Sequence, residues 1–324
     1  MLENKLIFFF ISCFFKIDAS EFFSKRCENN CIFTEEFLNS KTIKAFPSSC
    51  STVCADIKID QNTDLSEEQL TEAFKTMKVL YGTLQVSNTN YTSGKFFKSL
   101  EVMECEGIGG FTWSHNGEMT EMGLSNLITC FCDIEIYSNS KMIRLNMPKL
   151  KNFSSSNSTI RQVEMIISNL SPEFCITIQE MQVFISSKNL YMSRMPDKYC
   201  NFTTYFDSGV KHCFHNYTFK TLSLPSEYTP SNGLKTNNFK NLESDCDTIC
   251  GVVLIEGGDE EMVHKLDKLQ ILYGMLLIRV TELTAVDFLS NLEYVASLEA
   301  DQPAVYLKSN KNLNHIAIPR LKSN

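Results

Sequence analysis

The 324-residue chain has no basic excess. Its 30 Lys and Arg stand against 38 Asp and Glu, a formal net charge of −8. No basic run interleaved with aromatics appears either, so the footprint that nucleic-acid binding needs is absent. The chain also lacks a long apolar stretch. The longest, Leu6 to Phe15, covers about ten residues where a bilayer span needs about 20, so no membrane span is expected in the mature chain. Histidine is scarce: His115, His212, His215, His264 and His315 are scattered through polar segments. The one dense spot, His212-Cys213-Phe214-His215 with Cys200 upstream, lacks the repeated ligand pair of a zinc site. Neither metal nor cofactor is expected. Gly107-Ile108-Gly109-Gly110 lacks the strand–turn–helix setting of a phosphate loop and reads as a corner. No free cysteine is identifiable to serve a Cys–His pair, so the chain is read as not an enzyme.

What is present points outside the cell. A short charged start, the apolar run and small residues near Ala19 and Ser20 make a secretory signal over residues 1–20. The alternative, an anchor helix, is short of the needed length. Beyond Cys13 the cysteines are Cys27, Cys31, Cys50, Cys54, Cys105, Cys130, Cys132, Cys175, Cys200, Cys213, Cys246 and Cys250. That is an even count, and all are read as disulfide material in an oxidising compartment. Cys105 suits one of Cys130 and Cys132. Glycosylation sequons start at Asn90, Asn152, Asn157, Asn169, Asn201 and Asn216; a Pro follows the one at Asn169.

One stretch occurs twice: Leu80-Tyr81-Gly82-Thr83-Leu84-Gln85-Val86 and Leu272-Tyr273-Gly274-Met275-Leu276-Leu277-Ile278. Cys50 and Cys54 precede the first copy, Cys246 and Cys250 the second. Phe96 and Phe288 follow at matched distance, then Leu100-Glu101 and Leu292-Glu293. A repeat of this kind is a duplicated domain. Within each copy Ala55–Asp60 and Val252–Ile255 read as strands. Ser66-Glu67-Glu68-Gln69 is a capping box, opening a helix with Leu70, Ala73, Phe74 and Met77 on one face. Met262, Val263, Leu266 and Leu269 give the matching helix face in the second copy.

A finer pattern, Asn-x-x-apolar-x-x-apolar-x-apolar-x-x-apolar, begins at Asn116, Asn139 and Asn310, with a looser version at Asn157. A short strand precedes each of the three: 111–113, 134–136 and 305–307. Each Asn amide can hold a corner by bonding backbone that the strand no longer pairs. The spacing predicts an α/β solenoid, in which each rung is stable only on its neighbours. Trp113 aligns with Leu307 at an inward, core position. Thr177-Ile178-Gln179-Glu180 caps a helix with Met181, Phe184 and Ile185 that covers the end of the first unit. The expected domains are a lead-in over 21–47, a first unit over 48–186, a disulfide-stapled, loop-rich linker over 187–245, and a second unit over 246–324. The second has no counterpart to Cys130–Ile185 and is expected to be truncated.

The cysteine before the first strand, the Gly-x-Leu-x-Val/Ile strand, the Phe…Leu-Glu segment, Glu121–Leu127 and the closing Phe174-Cys175 together resemble the receptor L domain of insulin and EGF receptor ectodomains. The likeness covers most of Cys50–Ile185 and Cys246–Leu321. It implies two right-handed parallel β-helices with leucine-rich-repeat-like rungs, the second incomplete. It further implies Cys27 or Cys31 paired with Cys54, and Cys175 with Cys200. The cysteine-dense module between receptor L domains is absent here, as in secreted or surface nematode-type paired L-domain proteins. The function implied is non-enzymatic: binding a peptide hormone, a growth factor or a related receptor ectodomain, and modulating insulin- or EGF-type signalling. The alternatives are an extracellular adhesion or matrix module, or a truncated paralogue without binding function. By strand alternation, Lys58, Asp60, Gln85, Ser87, Glu135 and Tyr137 face outward and are the candidate ligand contacts.

Overall fold

Period-two alternation runs only through short stretches in the first unit, so its strands are short. The chain then circles back and pairs with the previous turn rather than forming hairpins. The computed structural model of the chain describes residues 19–105, 110–153, 162–196, 198–200, 212–214, 238–298 and 303–322. The proposed signal lies outside these residues except for Ala19 and Ser20. So do Gly107–Gly109, Asn157, Asn201, His215 and Asn216.

The first unit contains, in chain order, β1 (Ile32–Phe33), β2 (Thr52–Ala55), β3 (Ile57–Ile59), β4 (Val79–Tyr81), β5 (Leu84–Ser87), β6 (Val102–Glu104), β7 (Gly110–Ser114), β8 (Thr129–Phe131), β9 (Asp133–Tyr137), β10 (Val163–Ser168) and β11 (Leu190–Arg194). They form two parallel sheets, of order β1-β2-β4-β6-β8 and β11-β10-β9-β7-β5-β3. Each circuit from β2 to β9 leaves one strand in each sheet. In the six-stranded sheet Ile57, Leu84, Phe111 and Ile134 stand in one register column, and Ile59, Val86, Trp113 and Ile136 in another. All eight are at most 1% exposed. Branched and aromatic residues stacked on like neighbours form a continuous core.

The helices follow their caps. α1 (Ala19–Ser24) lies in the lead-in. α2 (Glu67–Phe74) starts at the Ser66 capping box, and α3 (Ile178–Ser186) at the Thr177 capping box. Phe74 from α2 stacks on Phe97 and meets Phe46 edge-on. The expected helix through Met262 and Leu269 is instead a 3-10 helix over Glu260–Leu266, with Leu266 and Leu269 buried. Part of the expected linker differs too. Leu190–Arg194 is not loop but β11, the edge strand of the six-stranded sheet, anchored by buried Leu190.

The corners rest on asparagine. Asn116 Oδ1 accepts from the Thr89 N–H at 3.0 Å and the Thr89 hydroxyl at 2.8 Å, while its Nδ2 donates to the Val86 carbonyl at 2.9 Å. Asn139 repeats the arrangement one rung on, accepting from the Asn116 N–H and donating to the Trp113 carbonyl. Asn310 does the same to Thr281 and Ile278 in the second unit. Beside this ladder, the residue after each strand of β5, β7, β9 and β10 is left-handed: Asn88, His115, Ser138 and Asn169.

The second unit contains β12 (His212–Phe214), β13 (Thr248–Ile255), β14 (Ile271–Arg279), β15 (Ala285–Val286), β16 (Tyr294–Val295), β17 (Val305–Lys308) and β18 (His315–Ile316). β13 and β14 each run unbroken through the two positions that separate strands produce in the first unit. β16 and β17 both pair with β14, and β18 pairs with β15.

Ten of the twelve cysteines are paired: Cys27–Cys54, Cys31–Cys50, Cys105–Cys132, Cys175–Cys200 and Cys213–Cys246. Cys130 and Cys250 are free and buried, which corrects the expectation that all twelve are bonded. The reasons are positional. Cys130 points into the core. Cys250 matches Cys54, whose partner Cys27 lies four residues before Cys31. Four residues before Cys213, the counterpart of Cys31, the sequence has Gly209. Burial pushes both thiols up to about 12, so neither is a nucleophile near neutral pH.

The two units touch directly. In the first unit Arg26 of the lead-in pairs with Glu104 at 2.8 Å and lies over the rings of Phe22 and Tyr81. In the second, Tyr273 takes the position of Tyr81 and meets Tyr199, whose hydroxyl donates to the Ala296 carbonyl at 2.8 Å. Cys250, Tyr273, Ala296 and Leu298 belong to the same packed cluster as the first unit's core. The end of the first unit thus occupies on the second unit the place that the lead-in occupies on the first.

Candidate functional site

The outward face of the six-stranded sheet is organised by the same register as its core. Lys58 on β3, Gln85 on β5, Thr112 on β7 and Glu135 on β9 are consecutive partners across four strands. Each is partly exposed. The parallel spacing of about 4.8 Å makes this a straight polar row held on a packed sheet. Ile166 on β10 and Arg194 on β11 continue it. Thr112, Ile166 and Arg194 were not among the sequence candidates. Thr112 was within reach of the alternation argument, whereas β11 was hidden by its place in a polar segment.

The row has local supports. The Lys58 ammonium lies 4.0 Å from the Asp60 carboxylate and 4.6 Å from the Phe37 ring centre. Asp60 sits just past β3, where its carboxylate also accepts from the Asn62 N–H at 2.8 Å. It therefore shapes a turn as well as facing Lys58. Asp56 accepts from the Thr83 N–H and hydroxyl, and Asp133 from the Glu164 N–H, which forms a second, more acidic row. Beside Lys58 and Gln85 opens a cleft of about 830 Å³, closed on its other side by lead-in residues Ile32, Thr34, Glu35 and Glu36. A concave, partly apolar space with a few polar groups suits recognition of a ligand side chain.

Ser87 and Tyr137 share the next column with Ser114. Here the structure corrects the sequence reading. Ser87 is only 5% exposed and Ser114 only 3%. At these strand ends the chain turns through left-handed Asn88 and His115, and the Asn88 N–H donates to the Ser114 carbonyl. The short hydroxyls lie under that corner. Tyr137 is long enough to stay partly exposed, its ring edge-on to His115 at 5.4 Å. Of the six candidates, Lys58, Gln85 and Glu135 form the row, Asp60 and Tyr137 flank it, and Ser87 is inaccessible.

The second unit does not repeat this surface. Val252, Leu254, Met275, Leu277 and Tyr306 stand where the first unit has Asp56, Lys58, Thr83, Gln85 and Thr112, with the same cross-strand partners. They form an apolar cluster of their own, in which Val252, Met275 and Leu277 are at most 2% exposed. Among the described residues, the open polar sheet face belongs to the first unit.

Among the described residues no group of three or more His, Cys, Asp or Glu could hold a metal ion, and no helix is long and apolar enough to cross a membrane. Of the sequons, Asn90 and Asn169 are exposed and Asn152 is half-buried.

A family model described as the receptor L domain matches the chain twice, over residues 49–131 and 245–323, together half of its length. No curated protein matches the chain.

Proposed function

The chain belongs to the receptor L domain family, and from that premise we propose that it is a secreted, non-enzymatic binding protein. Its ligand is a peptide hormone or growth factor, or a related receptor ectodomain, and its effect is to modulate insulin- or EGF-type signalling. Each unit is read as a parallel β-helix of leucine-rich-repeat-like rungs, with the first unit carried on through β11 and the second opened by β12. The observation that carries the reading is the polar row Lys58–Gln85–Thr112–Glu135, held in register on an open sheet face beside the cleft. A rigid row costs little ordering on binding, which is what a recognition surface needs. Extracellular residence is supported by five disulfides and by the sequon set.

The test is surface plasmon resonance with the purified chain against insulin-like and EGF-like peptides and the corresponding receptor ectodomains. A specific partner is expected, with binding weakened about tenfold or more by Lys58→Glu and by Glu135→Lys. No peptide or ectodomain binding, together with avid binding to extracellular matrix, would replace this reading with the adhesion module.

A further inference from the structure

Acids outnumber bases in the chain as a whole, yet one stretch reverses the balance. Residues 136–163 contain five Lys or Arg and no Asp or Glu. Three of the five, Arg144, Lys149 and Lys151, are exposed and line one groove of about 730 Å³. One wall of the groove is the chain over residues 144–151. The other is α3, which presents Gln179, Gln182 and Ser186. The volume falls in the range of ordinary ligand sites.

Two carboxylates border the groove, and the protein engages both. Glu121 pairs with Lys95 and accepts from the Asn146 amide. Glu180 is only 5% exposed and accepts from the Thr177 N–H at 3.0 Å and its hydroxyl at 2.8 Å. The cations have no such cover. The Lys149 ammonium donates to the Asn126 side-chain oxygen at 2.7 Å, and one Arg144 nitrogen to the Ile143 carbonyl at 2.6 Å. Both acceptors are neutral, so neither bond cancels a charge. What fits combines several anions with many neutral hydroxyls. Sulfate groups pair with guanidinium and ammonium, and amides and hydroxyls bond sugar hydroxyls. A bilayer surface is too broad to reach between a loop and a helix.

We propose that the groove between residues 144–151 and α3 binds a sulfated glycan. Arg144, Lys149 and Lys151 take the sulfates, and Gln179, Gln182 and Ser186 take the sugar hydroxyls. The groove shares no residue with the Lys58–Glu135 row. Its occupancy is independent of the ligand proposed there.

The experiment uses the intact chain and a labelled heparin octasaccharide, with its chemically desulfated form as control. Fluorescence anisotropy is expected to show saturable binding of the sulfated form and at least about tenfold weaker binding of the desulfated one. Raising the salt should weaken the complex. The double variant Lys149→Glu and Lys151→Glu should weaken it at least about tenfold without lowering the melting temperature. Gln182→Glu, on the opposite wall, should weaken it too. Lys44→Glu, in the lead-in at the far end of the first unit, should not. Glu121→Gln should strengthen binding at least about twofold, a gain that a misfolded protein could not produce. No binding, equal binding of both forms, or an equal loss in Lys44→Glu would overturn the proposal. So would tighter binding to phosphatidylserine vesicles or to a polyglutamate peptide. No readout involves the peptide or receptor ligand, so failure here leaves that reading standing.

Discussion

The two units share one inward pattern and differ in nearly everything that faces out. Met122 and Ile316 occupy the same step of the repeat, yet one is fully buried and the other half exposed. Gln85 and Leu277 share a register position, yet one is open and polar and the other apolar and closed. Cys54 and Cys250 match, yet one is bonded and the other free. The inward side chains are constrained by stacking on the rungs above and below, so both copies keep them. Outward side chains are free of that stacking: those of the first unit form an open polar row, and Val252, Met275 and Leu277 of the second form a separate apolar cluster. A duplicated scaffold thus carries one open polar sheet face and one closed apolar one among the described residues.

Paired substitutions sharpen this comparison. Met122→Ala should cost about 3 kcal/mol, since a fully buried side chain leaves a cavity. Ile316→Ala should change stability by no more than about 0.5 kcal/mol. Hydrogen exchange in β7 and β9 for Met122→Ala, and in β14 and β17 for Ile316→Ala, reads each loss in its own unit. Equal losses would break the comparison of the two burials.

The corner amides come next. Asn116→Ala removes the partners of the Thr89 N–H and the Val86 carbonyl in a dry environment, and should cost about 2 to 3 kcal/mol. Asn310→Ala, at a half-buried corner, should cost about 1 kcal/mol because water replaces part of what is lost. A third change should stabilise. Val280 holds a left-handed φ of 53°, where the first unit has Asn88. A β-branched residue is strained there, so Val280→Asn should gain about 1 kcal/mol, seen as slower hydrogen exchange in β14 and β17. No gain would mean the corner differs between the units.

The smallest effect is expected at Glu180, whose carboxyl burial holds above the usual range against its bonds to Thr177. Its folded value lies above its unfolded one, so ionisation in the native state is penalised, and stability falls as pH rises through the folded value. Glu180→Gln keeps the capping geometry without the charge. It should stabilise the chain by less than about 1 kcal/mol at pH 7, and the gain should vanish as the pH drops to the carboxylate range. Thermal melts at several pH values read this directly.

Much of the scaffold could be read from residue order. The Asn116, Asn139 and Asn310 corners, the Ser66 and Thr177 caps and the inward columns are local or strictly periodic, and local chemistry is written in the chain. The polar row was legible in part, through alternation. β11 was not, because Leu190–Arg194 has few branched or aromatic residues and becomes a strand only where β10 offers an edge. Ser87 was misread because alternation gives direction and says nothing of the corner folded over it.

The sequence by itself determined the duplication, the spacing of the corner asparagines and which side chains face inward. These follow from spacing, which needs no partner to be visible. Tertiary structure decided which cysteines find each other, which of two equivalent sheet faces stays open, and how deeply matched apolar residues are buried. Each of these depends on what lies opposite in space. Two residues at matched positions of a repeat then meet different neighbours and do different things.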